Sequence, residues 1–266
     1  TLFRSSAASD VYKRQEGYNA IRDEVAALAM SLGTVQTLFI MDEMDKDNMV
    51  AAPMSWYSGW GYKSFDRGLV AEFGSAYCVD GMNALDWGLE NLPKEINTVG
   101  IIAYAGEYGD DYAAGVRKAA IANGVTVAWS YVPPVAEFDV AAALGLMLTQ
   151  PVDAVFSGAP VSAGPQIIGG YYQQTGALPF IFNAAPAYND AFIAEGFPVR
   201  DLYLSGAVYN MAWVGPFETD TPGHAAMRAT WGNFSDSASS YVVAGWSSQY
   251  HICLLYTSDA ADERNS

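Results

Sequence analysis

Between residues 97 and 183 the sequence repeats one pattern three times: a short apolar run, a polar loop and a segment with helical spacing. A fourth apolar run closes the series. The runs begin near Val99, Val125, Val152 and Pro179, which by subtraction are 26, 27 and 27 residues apart. A strand, a crossover helix and two loops need about this length, and such crossovers place parallel strands side by side. The repeat therefore predicts an α/β fold with a parallel sheet flanked by helices.

The first repeat shows how the sequence encodes each part. Residues 98–104 are a short run rich in β-branched residues, as expected for a strand that is buried on both faces. The loop AGEYGDD follows, and a segment with helical spacing then continues until Asn123 and Gly124 end it. Ligands of such sheets bind beyond the carboxyl ends of the strands. The loops of interest are therefore those after Tyr104, Tyr131, Phe156 and Phe182.

The two ends of the chain are predicted to be adapter-derived and non-native. Residues 6–15, SAASDVYKRQ, can be encoded by DNA whose reverse complement encodes CLLYTSDAA, the sequence of residues 253–261. Two unrelated termini would rarely encode one inverted sequence, and this DNA resembles a transposase-type library adapter. We therefore exclude residues 1–15 and 253–266 from the fold and expect residues 16–252 to be a fragment of a longer protein.

Charge and cysteine content exclude several kinds of partner. The net charge is −16, and it is unchanged without the two ends because these carry four basic and four acidic residues. Such a surface repels phosphate backbones, so we expect no nucleic-acid partner. With Cys253 set aside, Cys78 stands alone, which excludes an internal disulfide and a cysteine metal cluster. No cofactor and no metal site is predicted.

The segment before the repeats predicts a helix, a strand and an acidic loop. Residues 16–32 show helical spacing that Gly33 ends, and residues 34–41, TVQTLFIM, suit a strand. The loop MDEMDKDN at the carboxyl end of that strand brings Asp42 or Glu43 to a ligand crevice. The alternative is a solvated loop whose aspartate starts a helix. Residues 49–78 then predict a long irregular connection, whose aromatic residues stack on a ligand, line an interface or pack internally.

Further elements lie on either side of the repeats. Residues 79–92 predict a helix that Pro93 ends, and residues 200–217 supply another strand. Two helices follow, one starting at Thr221 and one over residues 239–252.

The catalytic inventory is thin. The sequence has no GxGxxG after a strand, no GxxxxGK[ST] and no GxSxG. The loops at the strand ends instead offer Tyr108, Ser157, Asn183 and Tyr188, with small residues beside them. Uncharged hydrogen-bonding groups and aromatic rings suit holding a small ligand better than transforming it. The sequence therefore predicts a binding module and not an enzyme.

The sequence resembles the type I periplasmic solute-binding proteins of ABC transporters, in the branched-chain amino acid and amide group. The resemblance covers about residues 16–252. It is carried by VGIIAYAGEYGDDYAAGVRKAAIANGVTV, FDVAAALGLMLTQPVDAVFSGAPVSAG and a closing YVVAGW. It implies two Rossmann-like lobes that close about a hinge on a small solute and present it to a membrane permease. It also implies an extracytoplasmic monomer, either periplasmic or anchored by a lipid.

The resemblance also assigns the lobes. Residues 16–75 would form the N-terminal lobe, which would be truncated because the family's first strand-helix units would precede residue 16. Residues 76–204 would form the second lobe, and residues 205–252 would return to the first.

The resemblance implies ligand-binding roles for residues at the strand ends. Tyr108 matches the family's cleft tyrosine, and Ser157, Ala159 and Pro160 match the next cleft loop. Asn183 lies in the loop region where amino-acid binders often carry an acid. A buried ammonium group without a counter-charge is costly, so an α-amino acid ligand would need a carboxylate from elsewhere, such as Asp42 or Glu43.

The implied solute is an amino acid, an amide or a similar small polar molecule. Two alternatives use the same kind of fold: the ligand-sensing ectodomain of a receptor, and an α/β enzyme.

Overall fold

The computed structural model describes residues 2–62, 67–231 and 240–257. The chain forms two compact units. The first comprises Thr1–Ser75 and Trp213–Ser266, and the second comprises Ala76–Ala212. The chain therefore leaves the first unit, completes the second and returns to the first.

The secondary structure alternates between helices and strands along most of the chain. The strands are β1 (Ala27–Leu32), β2 (Val50–Met54), β3 (Thr98–Ala103), β4 (Thr126–Tyr131), β5 (Ala154–Gly158), β6 (Phe180–Asn183) and β7 (Val208–Asn210). The helices are α1 (Leu2–Ile21), α2 (Thr34–Asp47), α3 (Tyr77–Asn91), α4 (Glu107–Asn123), α5 (Val140–Thr149), α6 (Gly164–Thr175), α7 (Arg200–Tyr203), α8 (Pro222–Trp231) and α9 (Ser240–Thr257).

The second unit is built on one parallel sheet, with the strand order β4-β3-β5-β6-β7. In register, Ile102 pairs with Ser157, Ser157 with Asn183, and Asn183 with Asn210. These residues form one row across four strands near their carboxyl ends. The prediction of an α/β fold with a parallel sheet flanked by helices is confirmed.

Helices cover both faces of this sheet. On one face, Val155 and Ile181 pack in an apolar cluster with Ala143 and Met147 of α5. On the other face, the ring of Phe182 stacks on that of Phe156, with centroids 4.9 Å apart. Three further rings continue this aromatic group toward the sheet edge. The ring of Tyr209 stacks on that of Phe182, with centroids 5.2 Å apart. The ring centroids of Trp87 and Phe180 lie 5.1 Å and 6.4 Å from that of Tyr209. Burial on both faces explains why these strands are continuously apolar.

Helices α3 and α4 pack together at backbone contact distance. A Cβ atom added to Gly115 of α4 would lie 1.9 Å from the carbonyl oxygen of Cys78 in α3. A Cβ atom added to Gly81 of α3 would lie 2.5 Å from the carbonyl oxygen of Tyr112. Glycine at both positions is therefore what allows the two helices to pack so closely.

The first unit contains the parallel pair β1-β2, on which α9 packs. Its apolar cluster includes Tyr18, Met44 and Ala51. The Tyr18 hydroxyl donates to Asp47 over 2.6 Å, which connects α1 to the end of α2. Helix α1 therefore docks on α2 through both apolar and polar contacts.

Two predictions for the first unit are wrong. The helix predicted over residues 16–32 ends at Ile21, and Ala27–Leu32 is strand β1. The strand predicted over residues 34–41 is instead the first half of α2. Periodicity alone does not distinguish a short buried strand from a short segment of buried helix. Here the strand was predicted where α2 begins, and the helix was extended over the residues that form β1. The turn between them is made by Gly33, whose φ of 93° favours glycine.

The predicted irregular connection over residues 49–78 is also partly wrong, because it contains β2 and the start of α3. Of the interpretations of its aromatic residues, internal packing applies to Trp56 and Trp60, which are buried. The ring of Trp56 stacks on that of Trp213, with centroids 4.5 Å apart.

The return of the chain to the first unit follows β7. This strand pairs with β6, so residues 205–212 lie with the second unit. At the two ends of the chain, α1 spans residues 15 and 16, and α9 spans residues 252 and 253.

Candidate functional site

In the second unit the chain adds β4 on one side of β3 and then crosses back to add β5 on the other side, so the direction of strand addition reverses between β3 and β5. From β3 the chain crosses one face of the sheet through α4 to reach β4, and from β4 it crosses the other face through α5 to reach β5. Neighbouring connections that leave on opposite faces open a crevice between the carboxyl ends of their strands, and open α/β sheets bind their ligands there. We therefore treat the ends of β3 and β5 as the candidate site.

Tyr108 lies at this crevice, in the first turn of α4. Its side chain is 8% exposed, and its ring lies 4.8 Å from that of Tyr77 and 5.2 Å from that of Tyr104. Gly109 lets this turn approach the end of β3, because a Cβ atom there would lie 1.8 Å from the carbonyl oxygen of Tyr104. The Gly106 N–H donates to the Asp110 carboxylate over 2.9 Å and fixes the loop.

The Tyr108 hydroxyl group is buried and, within the described part of the chain, has no hydrogen-bond partner. It faces the end of β5, since a Cβ atom added to Gly158 would lie 3.3 Å from it. Buried polar groups are nearly always hydrogen-bonded in native structures, so an unpaired hydroxyl in a crevice calls for a partner.

Burial raises the pKa of Tyr108 well above its usual value, and the neighbouring Tyr104, Tyr112, Tyr77 and Asp80 raise it further. The phenol therefore remains neutral at physiological pH and can donate a hydrogen bond. It is suited to binding and is poorly suited to act as a base.

Ser157, Ala159 and Pro160 lie at the end of β5 and in the loop after it. Ser157 is buried in the strand, and its carbonyl oxygen accepts from the Ala184 N–H over 2.8 Å. Ala159 belongs to the apolar cluster under α5 and α6, whereas Pro160 is half-buried. Of the three side chains, that of Pro160 is the one the structure leaves partly open to contact.

Asn183 is the last residue of β6, and its side chain is 1% exposed. Its Nδ2 donates to Oδ1 of Asn210 on the neighbouring strand over 2.9 Å. The Oδ1 atom of Asn183 is buried and has no hydrogen-bond partner among the described residues. The carboxyl edge of the sheet therefore carries a second polar atom that lacks a partner.

Tyr188 packs in a different aromatic group. Its ring lies 6.0 Å from that of Phe192 and 6.3 Å from that of Tyr203. Burial raises the pKa of Tyr188 to about 12, and the charge of Asp190 and a hydrogen bond to it add to the effect. Its hydroxyl group is thus already engaged by Asp190.

Asp42 and Glu43 do not lie in a loop at a strand end. Both are in α2 of the first unit, so the reason for placing them in a ligand crevice fails. Asp42 pairs with Arg67 over 2.7 Å. Glu43 pairs with Arg22 over 3.2 Å and with Lys46 over 2.7 Å. The charges of both carboxylates are therefore paired with cationic side chains of their own unit.

The sequence interpretation missed four residues around the candidate site: Tyr77, Asp80, Tyr104 and Asn210. Asp80 is 3% exposed and lies in the first turn of α3, where acidic residues usually only complement the helix dipole. Nothing in the sequence distinguishes it from such a surface residue. Asn210 was detectable in principle, because the strand that contains it was predicted, but its register with β6 was not.

Residues 2–62, 67–231 and 240–257 contain no group of three or more His, Cys, Asp or Glu side chains arranged to hold a metal ion. Over the same residues, the helices are too short or too polar for any of them to cross a membrane.

Comparison with known proteins found similarity at the level of structure. No protein-family model matches the sequence, and no curated protein matches it. Solved structures of ABC transporter substrate-binding proteins do match. One is a fatty acid ABC transporter substrate-binding protein from Thermomonospora curvata, with a TM-score of 0.74 and 20% identity over 88% of this chain and 59% of that protein.

Two further matches were solved with ligands. A solute-binding protein from Rhodopseudomonas palustris HaA2 in complex with p-hydroxybenzoic acid has a TM-score of 0.71 and 14% identity, over 94% of this chain and 65% of that one. A branched-chain amino acid ABC transporter protein from Thermus thermophilus with bound valine has a TM-score of 0.70 and 13% identity, over 92% and 63%. This chain thus spans about three fifths of the length of the proteins it matches, and the likeness at these identities is one of fold.

Proposed function

We propose that this chain, which has the type I periplasmic binding protein fold, is the solute-binding component of an ABC transporter. It would capture a small polar solute outside the cytoplasm and deliver it to a permease in the membrane. The observation that carries the proposal is the buried, unpartnered hydroxyl group of Tyr108 at the point where the strand order reverses. A site of this kind is built to be completed by a ligand.

The chemistry of the crevice supports binding over catalysis. The Tyr108 hydroxyl is kept neutral by burial, and the aromatic rings of Tyr77 and Tyr104 hold it in place. Pre-organised neutral donors in an apolar setting give affinity and orientation to a small ligand. The structurally similar proteins are transporter substrate-binding proteins, which fits a role other than catalysis.

The proposed solute is an amino acid, an amide or a small molecule of comparable polarity. Proteins with this fold include one solved with valine and one solved with p-hydroxybenzoic acid. Small carboxylates and aromatic acids therefore belong in the search beside amino acids and amides.

A thermal-shift panel tests the proposal. The chain would be heated with amino acids, amides, ureas, aliphatic acids and hydroxybenzoates in separate samples. A solute that binds only the folded chain stabilises it by about 2.7 kcal/mol at one hundred times its dissociation constant, which raises the melting temperature clearly. The proposal fails if the chain unfolds cooperatively and no solute class raises its melting temperature.

A further inference from the structure

We infer that a groove between α3 and α4 of the second unit binds a second copy of this chain, so that two chains pair through the same face. The C-terminal parts of both helices line the groove, whereas Tyr108 of the candidate solute site lies at the start of α4. The inference goes beyond the proposed function and departs from the monomer that the family resemblance implies.

The shape of the groove follows from how the two helices pack. They approach at backbone distance near Gly81 of α3 and Gly115 of α4. Past this contact, toward the C-terminal ends of both helices, a surface cavity of about 580 Å³ lies between them. The Asn123 side chain of α4 donates to the Asp86 carboxylate of α3 over 2.8 Å and ties the helices together there. The groove is therefore a fixed feature of the helix pair.

The groove has an apolar floor and a charged rim. Met82 and Leu89 of α3 are half-buried in it, whereas Asp86, Glu90 and Lys118 are exposed. Small-molecule sites enclose most of their ligand, so an open groove of this kind is poorly suited to a small solute. It is suited to the side chains of a helix from another molecule.

Beside the groove stands a large apolar side chain. Ile121 of α4 is exposed over 83% of its surface, the highest value among the described large hydrophobic residues. It follows Lys118 by three residues, so the two side chains share the solvent-facing side of α4. Exposed apolar residues that are scattered singly need no explanation, but Ile121 shares its face with an apolar groove. The face thus carries both a projecting group and a place that could take one.

A face with both features can pair with itself. In a two-fold dimer the same patch is used on both chains, so the patch has to contain both halves of every contact. Ile121 of each copy can then enter the groove of the other copy and cover its apolar floor. This complementarity of shape is what makes a second copy the occupant that fits the groove.

The charges of the face are complementary in the same arrangement. Asp86 and Glu90 lie on the α3 side of the groove and Lys118 lies on α4, and none of the three forms an ion pair with another described residue. When Ile121 enters the groove of the second copy, Lys118 comes opposite the acidic rim of that groove. The two-fold symmetry makes this contact twice and so offsets, at the interface, the repulsion between chains of net charge −16.

Sedimentation equilibrium over a series of protein concentrations tests the inference. We expect a reversible equilibrium between monomer and dimer, with the modest affinity that a small interface gives. A chain that remains monomeric up to about 1 mM, where even a weak dimer would be populated, overturns the inference.

Two substitutions of exposed apolar residues assign the dimer to this face. Ile121→Asp should raise the dissociation constant of the dimer about a hundredfold, because two isoleucine side chains leave each interface. Its melting temperature as a monomer should remain close to that of the original chain, since the side chain is exposed. Tyr172→Asp, at a 42% exposed position of α6, is the matched control and should dimerise as the original chain does. A dimer that is unaffected by Ile121→Asp forms through another face and overturns the inference.

A charge exchange tests how the two copies are seated. Lys118→Glu and Glu90→Lys should each weaken the dimer about tenfold, because each puts like charges opposite each other at two places in the interface. The double variant Lys118→Glu/Glu90→Lys exchanges the two charges and leaves the net charge of the chain unchanged, so it should dimerise nearly as well as the original chain. If the double variant is no tighter than the single ones, Lys118 does not face the acidic rim and the inference is overturned.

Discussion

Two groups of polar side chains, one in each unit, satisfy their hydrogen-bonding capacity to different extents. In the first unit, Arg22 pairs with Glu43 and Asp47, and Arg67 pairs with Asp42 and Asp45. At the carboxyl edge of the second unit, the Tyr108 hydroxyl and the Asn183 amide oxygen are uncharged and buried, and each lacks a partner. The first group is partly or fully exposed and is satisfied within its own unit, and the second is buried and incomplete.

This difference shows where a ligand would find an energetic advantage. Exposed ion pairs are screened by water and salt and contribute little, so an added molecule gains little by contacting them. A buried polar atom without a partner gives the full value of a hydrogen bond to whatever reaches it. The candidate site is therefore defined by unmet hydrogen bonds and not by charge.

The largest expected effect is a loss of stability when the close backbone packing of the second unit is disturbed. Gly115→Ala would place a Cβ atom 1.9 Å from the Cys78 carbonyl oxygen, so α3 and α4 would have to separate. We expect a loss of about 3 kcal/mol in the free energy of unfolding, measured by chemical denaturation. Gly145→Ala in α5 is the control, since a Cβ atom there meets nothing within 4 Å and should add about 0.5 to 1 kcal/mol. Equal effects of the two substitutions would contradict the packing of α3 on α4.

The next effect concerns the candidate site itself. Tyr108→Ala should weaken solute binding by roughly 1 to 3 kcal/mol and leave the fold intact, because an aromatic anchor and its hydroxyl are lost. Calorimetry with the best solute of the thermal-shift panel would measure this. Tyr62→Ala provides the matched control in the first unit, where the tyrosine side chain is exposed. Unchanged affinity in Tyr108→Ala would remove Tyr108 from the site.

A carboxylate of the second unit should give a pH-dependent effect. Burial acts to raise the pKa of Asp153, but hydrogen bonds from the Thr98 side chain, from the Asn97 and Thr98 N–H groups and from Lys94 outweigh it and lower that pKa below 3.8. Because the folded-state pKa is depressed, the stabilisation is fully present well above the ordinary pKa of an aspartate and is lost as the pH falls through the lowered value.

The test is the pH dependence of unfolding. Asp153→Asn should cost about 1 to 2 kcal/mol at neutral pH, and the difference from the original chain should shrink in acid. Asp201→Asn is the control, because its side chain is 93% exposed and its loss should change the free energy of unfolding little at neutral pH. A difference that stays constant from pH 7 to pH 3 would contradict the role of the Asp153 charge.

The smallest expected effect lies in the first unit. Arg67→Gln breaks two exposed ion pairs, with Asp42 and Asp45, yet such pairs contribute little once screened. We expect no measurable change in melting temperature at physiological salt, and a small loss at low ionic strength. A large loss at physiological salt would show that the first unit depends on its charges and would weaken the contrast between the units.

The sequence predicted the second unit well because the unit repeats. Regular spacing of apolar runs defines parallel strands, and parallel strands bring their carboxyl ends to one edge, which is why Tyr108, Ser157 and Asn183 were all found on that edge. The assignment of these residues to a binding site remains a prediction.

The sequence failed where small residues or local ambiguity decide the structure. Helix α3 buries Gly81, Ala84 and Gly88, because small residues let backbones touch, whereas Met82 and Leu89 are left partly exposed. Apolar spacing alone does not show that small residues line this face beside Leu85, and Asp80 on it was overlooked. In the first unit, the apolar runs that form β1 and open α2 are short, and no repeat was present to separate strand from helix.

The aromatic group at the edge of the sheet makes the second unit an optical sensor of its own folding. Trp87 is exposed over 44% of its surface and lies 5.1 Å from the ring of Tyr209 on the last strand. Tyrosine excited at this distance transfers its energy to tryptophan, and the transfer ends when the strand departs. In a variant in which phenylalanine replaces the other six of the seven tryptophans, ultraviolet emission from Trp87 would therefore respond when β7 joins or leaves the sheet that positions Asn210.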